Sequence, residues 1–399
     1  NMKNLKFFKE FLLLIIFSLV FLDLSGNISF GFDKLFYKVD FIFADLITII
    51  PSIEELKTMD FNSKNKLSST ETMGRPMNYP VIWVYIFDFV GRFINPVLFF
   101  GYSQILFFFL YVYYLQSKIF NYETLIVLLI ILFSPPILLL LERGNNDLII
   151  FFLITISISS SSFLRGFLLG LATALKVYPI ILFIVYFLFK KINKNFIFGA
   201  LITLPLIIYT FLHLKIYIGN TAMSFSANFG LFSMGLFFQK IINLIFNLNM
   251  SQNFTVMLSI ISFFLTIITF YFLLNKEISN LLHIISLNKK SFEIFIISMS
   301  LSFFIFIIFS SWAYRLIFLI PACVIFIKHT ELKNHFFNLK KSIIFILVTL
   351  PFLSTWFLIP TKEILLNHYT WAFFAPLTFC SFSLYFIMLI KSLSILRKL

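Results

Sequence analysis

Long apolar runs alternate with short polar or basic breaks along almost the whole chain. A transmembrane helix needs about 20 apolar residues, and the runs, rich in Phe, Ile and Leu, approach or reach that length. They lack the period-two alternation of a transmembrane strand. Candidate spans lie at about 11–22, 96–115, 124–141, 148–162, 166–189, 195–213, 254–274, 291–309, 315–328, 342–358 and 371–390. The pattern therefore predicts an all-α polytopic membrane protein, a bundle of about 10–12 transmembrane helices.

Composition agrees with this pattern and excludes several classes of protein. The 399 residues are 60% hydrophobic and 12% charged, whereas soluble domains are about 45–50% apolar and 25% charged. A soluble enzyme, a disordered chain and a disulfide scaffold are excluded. Cys323 and Cys380 lie far apart in apolar runs, and the five histidines show no ligand spacing. We expect no metal site and no cofactor, and a single integral membrane domain over residues 1–399.

The net charge of +14 is explained by the excess of Lys and Arg in cytoplasmic loops of membrane proteins, so no nucleic-acid partner is expected. Three lysines precede the first apolar run, and no small-residue cleavage site follows, which indicates a retained signal anchor. Both termini are then cytoplasmic, and residues 23–80 form a long first outer loop. The basic clusters placed inside are Lys190–Lys194, Lys289–Lys290, Lys340–Lys341 and Arg397–Lys398.

This orientation requires a break within the apolar run 166–189. A single helix there would carry the basic cluster at Lys190 to the outer side. The step Lys176-Val177-Tyr178-Pro179 offers a break, because proline removes a backbone donor and disfavours helix at the preceding residue. A lysine at mid-bilayer costs about 3 kcal/mol. We therefore predict short helices at about 166–175 and 178–190, with Lys176 at the outer side.

Polar residues near span ends converge on the outer face in this topology. Such residues are functional candidates, because hydrocarbon makes them costly. The candidates are Asp40 and Asp45 in the first outer loop, Tyr79 at its end, Glu142, Arg143, Asn145 and Asn146 in the ERGNND turn, Lys176 and Tyr178 in the helix break, and Arg315 in the SSWAYR turn. Several cations with one or two carboxylates favour a phosphate-bearing lipid substrate.

Each candidate also has a structural explanation. Asp40 and Asp45 could keep one face of a helix at the membrane interface in contact with water. ERGNND could be a polar turn in which Gly144 permits the bend. Lys176 could extend its stem to the interface, and Arg315 could anchor that interface. On a helix, Asp40 and Asp45 would point about 140° apart, so only one of them would face a given site.

The segment that runs from ERGNND to the basic cluster at Lys190 resembles the hallmark region of glycosyltransferase family 87. These are polyprenyl-phosphate-sugar-dependent membrane enzymes of the GT-C fold. The matching residues are Arg143, Gly144, Asn145, Gly166, Gly170, Lys176, Tyr178 and Pro179, within a hallmark region of 142–190 that contains the short helical hairpin. The GRPMNYP segment looks like the Tyr-Pro step that ends the first outer loop in such proteins.

The resemblance implies an inverting hexosyltransferase, mannose-like in its sugar, whose site lies on the outer face. It implies an essential acid in the first outer loop, which falls on Asp45 or Asp40; Asp45 is favoured because it precedes the apolar run LITIIP. Lys176, Arg143 and Arg315 would bind the donor phosphate. The residues that would contact the substrate are Asn145, Asn146, Tyr79, Tyr178 and Glu142.

The expected partners are a polyprenyl-phosphate sugar donor, an acceptor that is a glycan, a lipid or a protein, and the lipid bilayer. The Phe/Ile/Lys/Asn-rich composition favours an AT-rich bacterial genome and hence a bacterial plasma membrane. Two other functions remain open. A lipid-linked glycan flippase or secondary transporter predicts internal repeats and polar groups facing both sides. An O-antigen polymerase or ligase predicts key arginines in later outer loops.

Overall fold

The chain is helical wherever the structure describes a long stretch of it. The structure, a computed structural model, describes residues 10, 18, 43–50, 79–117, 122–214, 228–229, 238–239, 242–243, 245–247, 251–308, 311–329, 339–357 and 369–396. The predicted first span at 11–22 and the candidate Asp40 lie outside the described residues, apart from Ser18.

The helices are α1 (Ala44–Ile47), α2 (Ile82–Gly91), α3 (Pro96–Ser117), α4 (Tyr122–Leu132), α5 (Pro135–Glu142), α6 (Asp147–Ser159), α7 (Ser162–Leu175), α8 (Ile181–Leu188), α9 (Lys194–Leu212), α10 (Gln252–Ser286), α11 (Lys289–Ile308), α12 (Ile320–His329), α13 (Leu339–Phe357) and α14 (Tyr369–Leu396). Two 3-10 segments lie at Tyr178–Ile180 and Ala313–Leu319, and a short antiparallel ladder pairs β1 (Asn228–Phe229) with β2 (Ser311–Trp312).

Five of these helices are long and apolar enough to cross a membrane: α3, α9, α10, α11 and the part of α14 that begins at Pro376. The consecutive helices α4 and α5 add a sixth if they count as one broken span. The break coincides with Pro135 and Pro136, which cannot donate backbone hydrogen bonds. The prediction of an all-α polytopic membrane protein is confirmed. The count of about 10–12 spans stays a prediction, since these helices come only from the described part of the chain.

The chain divides into two compact units. The first comprises residues 1–118 and 138–222, and the second comprises 119–137 and 223–399. In the second unit, α10 packs against α14, and α14 packs against α11 and α13. Phenylalanine rings fill the space between these helices; Phe306 of α11 stacks on Phe382 of α14 with ring centroids 4.4 Å apart. At 35 residues, α10 extends well beyond the span predicted at 254–274.

Glycines bring α7 and α9 into close contact in the first unit. A Cβ atom at Gly166 would overlap the backbone carbonyl of Phe196, and one at Gly199 would overlap the carbonyl of Phe163. A Cβ atom at Gly170 would overlap the hydroxyl of Thr203. Small residues at such positions let two helix backbones approach within a membrane. These glycines therefore serve the packing of α7 against α9.

Replacing Gly166 with Leu is expected to abolish most of the folded protein. The new side chain would meet a carbonyl of the α9 backbone, which cannot move aside without separating the helices. The measurement is the monodisperse peak of the detergent-solubilised protein in size-exclusion chromatography. Gly91→Ala is the control, because its Cβ atom would lie 3.7 Å from the ring of Pro96, an ordinary contact. Equal peaks for both variants would contradict the proposed packing role.

Candidate active site

The short described segment 43–50, which the sequence predicts to belong to the first outer loop, docks against the ERGNND turn through its backbone. The N–H of Phe43 donates to the carbonyl of Glu142 at 2.8 Å, and the N–H of Asp45 donates to the carbonyl of Arg143 at 3.0 Å. The Phe43 ring packs on Gly101 of α3, where any Cβ atom would overlap it. Backbone bonds and ring packing together hold α1 in place and aim the side chain of Asp45 at the turn.

Both carboxylate oxygens of Asp45 are held by residues of that turn. Nε of Arg143 lies 2.9 Å from Oδ1, and Nδ2 of Asn145 lies 2.5 Å from Oδ2. The Asp45 side chain is 12% exposed and that of Arg143 is 8% exposed. Hydrogen bonds between ionised groups are about twice as strong as neutral ones. The structure thus fixes the orientation of the Asp45 carboxylate.

The turn itself depends on Gly144, which has a φ of +59°. Side chains disfavour this left-handed conformation, and a Cβ atom would lie 2.9 Å from Leu46 and 3.1 Å from Phe43. The side chain of Gln104 on α3 donates from Nε2 to the carbonyl of Gly144 at 3.3 Å. The glycine is therefore required both for the bend and for the close approach of α1.

A second ion pair lies beside the first. Asp147, the first residue of α6, has a side chain that is 0% exposed. Its Oδ1 accepts hydrogen bonds from Nζ of Lys176 and from the hydroxyl of Tyr178, each at 2.6 Å. Asp147 is among the polar residues that the sequence places on the outer face, but the sequence assigns it no role in the site. Asp147 lies in the polar ERGNND turn, and a helix break that carries a lysine follows one helix later in the sequence. These two features together indicate an ion pair between the aspartate and the lysine.

Tyr79 connects the two ion pairs. Its hydroxyl accepts from Nδ2 of Asn145 at 3.2 Å, and Nζ of Lys176 lies 5.2 Å from the centroid of its ring, a distance typical of a cation–π interaction. One network thus joins Arg143, Asp45, Asn145, Tyr79, Lys176, Asp147 and Tyr178. The formal charges of its two acids and two bases cancel, so the network is neutral as a whole.

The end of α7 places Lys176 in this network. Because α7 stops before Pro179, where the sequence predicts a break, the carbonyls of its last turn lack helical partners. The hydroxyl of Thr210 donates to the carbonyl of Ala174 at 2.7 Å, and Nε1 of Trp83 donates to the carbonyl of Leu175 at 3.2 Å. Side chains from α9 and α2 therefore satisfy the helix end that presents Lys176.

Replacing Thr210 with Val is expected to lower both the thermal midpoint and the activity of the protein. The change keeps the shape but removes the donor to a buried carbonyl, which costs about 1–3 kcal/mol, and it loosens the helix end beside Lys176. Thermal unfolding in detergent measures the first effect, and the turnover rate of the protein measures the second.

The control for this change is Thr269→Val on α10. Thr269 bonds the carbonyl of Leu265 in its own helix at 2.9 Å, so its hydroxyl supports no helix end. A drop in the thermal midpoint that is the same for both variants would mean that the Thr210 hydroxyl has no special role.

The other predicted site residues take separate positions. Asn146 is the N-cap of α6 and is fully buried, and Glu142 ends α5. Arg315 belongs to the second unit, in the 3-10 segment that follows β2. Among the residues that the structure describes, no group of three or more His, Cys, Asp or Glu could hold a metal ion.

Comparison with known proteins identifies a family. The family model for glycosyltransferase family 87 matches residues 79–277, about half of the chain. The matched region contains Tyr79, the ERGNND turn and the helix break at Lys176, and it begins after Asp45. No curated protein and no solved structure matches the chain.

Proposed function

The chain belongs to glycosyltransferase family 87, and from that membership we propose that this membrane glycosyltransferase moves a mannose-like hexose from a polyprenyl-phosphate sugar to an acceptor hydroxyl. The acceptor is a glycan, a lipid or a protein. In this proposal the reaction takes place on the outer face of a bacterial plasma membrane, with both termini in the cytoplasm. The observation that carries it is the network that joins the Asp45 carboxylate to the Lys176 ammonium through Asn145 and Tyr79.

Asp45 is the proposed general base. In one inverting step, the acceptor oxygen forms a bond to the anomeric carbon of the sugar while the bond from that carbon to the phosphate oxygen breaks. The hydroxyl proton passes to the Asp45 carboxylate, and the bonding electron pair leaves on the lipid phosphate. A carboxylate oxygen has two lone pairs, so the bonds from Arg143 and Asn145 leave each oxygen the capacity to accept a proton. Positioned bases of this kind contribute about 10²–10⁴-fold to a rate. Asp40 remains the alternative base from the sequence.

Lys176 and Arg143 are the proposed cations for the donor phosphate, with Arg315 as a third from the sequence. Each of the first two already has an acidic partner, so they enter the reaction oriented. A lysine ammonium has three donors and a guanidinium has five, so a monophosphate can be bound in addition to the acids. Cations aimed at the departing oxygen stabilise the charge that develops there.

The proposed substrate contacts are made by Asn145, Asn146, Tyr79, Tyr178 and Glu142. Three of these, Asn145, Tyr79 and Tyr178, also hydrogen-bond the ion pairs. A sugar hydroxyl that meets them would therefore be positioned relative to both the base and the phosphate-binding lysine.

The test is sugar transfer by purified protein in vesicles that contain a radiolabelled polyprenyl-phosphate mannose and a membrane extract as acceptor. We expect label to leave the donor and enter an acceptor fraction, and the new glycosidic bond to have the opposite anomeric configuration. A labelled nucleotide sugar is the control donor and should remain unused. Unchanged donor, together with movement of a lipid-linked glycan between leaflets, would replace this proposal with the flippase. Transfer of a preassembled glycan block would favour the polymerase or ligase.

A further inference from the structure

Asn146, which lies between Asn145 and Asp147 of the candidate active site, carries a buried amide without a hydrogen-bond partner among the described residues. The residue is 0% exposed, and neither Nδ2 nor Oδ1 has a hydrogen-bond partner among the described residues. Although Asn146 is the N-cap of α6, its side chain makes no capping bond. An unmet buried polar group costs about 1–3 kcal/mol, and most buried side-chain polar atoms in proteins are bonded. The amide therefore points to a partner from outside the described chain.

A second buried amide oxygen without a partner among the described residues belongs to Gln104 on α3, which contacts the same turn. Gln104 is 1% exposed, and its Nε2 donates to the carbonyl of Gly144, two residues before Asn146. Its Oε1 has no partner among the described residues. The side chains of the two neighbours of Asn146, Asn145 and Asp147, in contrast make hydrogen bonds within the network. Three buried polar atoms without a partner among the described residues thus lie in or against the turn whose residues hydrogen-bond Asp45.

The chemistry of the amide restricts what it can bind. Asn146 presents a donor at Nδ2 and an acceptor at Oδ1. A phosphate oxygen only accepts and would leave Oδ1 unmet, and an ammonium only donates and would leave Nδ2 unmet. A hydroxyl group both donates and accepts, so a polyhydroxylated ligand satisfies both atoms.

We propose that Asn146 recognises a hydroxyl group of the transferred sugar and makes the enzyme select that sugar over its deoxy analogue. This inference rests on the proposed glycosyl transfer and names the residue that reads the sugar. A site with buried polar groups built for a substrate hydroxyl rejects the analogue that lacks it, because those groups are then left unpaired. Such discrimination reaches about 10⁴-fold in favourable sites, and we expect at least about 10²-fold here.

The experiment compares a polyprenyl-phosphate mannose with its 2-, 3-, 4- and 6-deoxy analogues as donors. For wild type, kcat/KM should fall at least about 10²-fold for one analogue. In Asn146→Ala, the ratio of kcat/KM between the mannose donor and that deoxy analogue should fall to below about threefold. The corresponding ratios for the other three analogues should stay unchanged. If the Asn146 amide had only a structural role, the substitution would lower kcat/KM for all donors together and would leave every ratio unchanged. That result, with wild-type transfer intact, would overturn the inference alone, whereas no transfer by wild type from any donor would overturn the proposed function.

A second variant tests the amide without any substrate. Asn146→Leu keeps the branched shape and removes both polar atoms, and with them the cost of burying a polar group that makes no hydrogen bond. We therefore expect the thermal midpoint of the detergent-solubilised protein to stay the same or rise. A clear fall would show that the amide is bonded within the folded protein and would overturn the inference. Asn193→Leu is the control and should lower the midpoint, because Asn193 caps α9 by accepting from the N–H of Phe196 at 2.9 Å.

Discussion

Replacing Asp45 with Asn is expected to reduce sugar transfer about 10³-fold or more, measured per molecule of folded protein. The amide is the same size as the carboxylate and cannot accept a proton, so the rate should lose most of the contribution of a general base. Segment α1 should stay docked, because its backbone bonds to Glu142 and Arg143 do not involve the side chain. The measurement is kcat with the polyprenyl-phosphate donor, together with the size-exclusion profile.

The control for this variant is Asp88→Asn. Asp88 also pairs with an arginine, Arg92, at 2.9 Å, but on an exposed face of α2 where the arginine side chain is 67% exposed. Its loss should leave transfer within about twofold of wild type, because exposed pairs contribute little. If Asp45→Asn retained more than a tenth of the activity, Asp45 would not be the base, and Asp40→Asn would become the variant to test.

The second expected result concerns Lys176 and its partner Asp147. Lys176→Gln should lower both the yield of folded protein and sugar transfer, because it leaves the buried Asp147 carboxylate without its cation. Breaking one side of a buried pair costs about 3–5 kcal/mol. The double variant Lys176→Gln with Asp147→Asn removes both charges, so the folded yield should recover much of its loss.

Sugar transfer should not recover with the yield in the double variant. The two amides can still hydrogen-bond, but the ammonium that would bind the donor phosphate is missing, so the KM for the donor should remain raised. Recovery of both properties would show that Lys176 acts only as the partner of Asp147. The exposed Arg92→Gln serves as the charge-loss control and should change neither property.

Local sequence signals predicted the parts of the fold that depend on neighbouring residues. Pro179 two residues after Val177 predicts that a helix ends near Lys176, and α7 ends at Leu175. Long apolar runs predict spanning helices such as α3 and α11, since hydropathy alone determines them. The length of α10 was underestimated, because its last dozen residues mix charged and apolar side chains and continue as helix without any apolar run.

The candidate site depends on contacts that no local pattern shows. Asp45 and Arg143 are 98 residues apart in sequence. The backbone hydrogen bonds that hold α1 against the turn do not depend on residue type, so no sequence pattern predicts them. Trp83 looks like one more apolar residue of α2, although its indole N–H holds the end of α7. Gly166 was identified as part of a family motif, but its packing partner on α9 is visible only in three dimensions. The residue types of the site were predictable, whereas their pairing was not.

The spacing of the two ion pairs has a consequence for biosynthesis. Lys176 and Asp147 are 29 residues apart on the packed helices α6 and α7, so they can meet as soon as this helix pair enters the bilayer. Insertion of a charged residue at a helix centre costs about 2.5–3.5 kcal/mol, and a pair that carries its own counterion enters as a neutral unit. Asp45, in contrast, is synthesised 98 residues before its partner Arg143. We therefore expect a nascent chain that ends after α9 to contain the Lys176–Asp147 pair already formed, and the Asp45 carboxylate to stay without its ion-pair partner until Arg143 is synthesised.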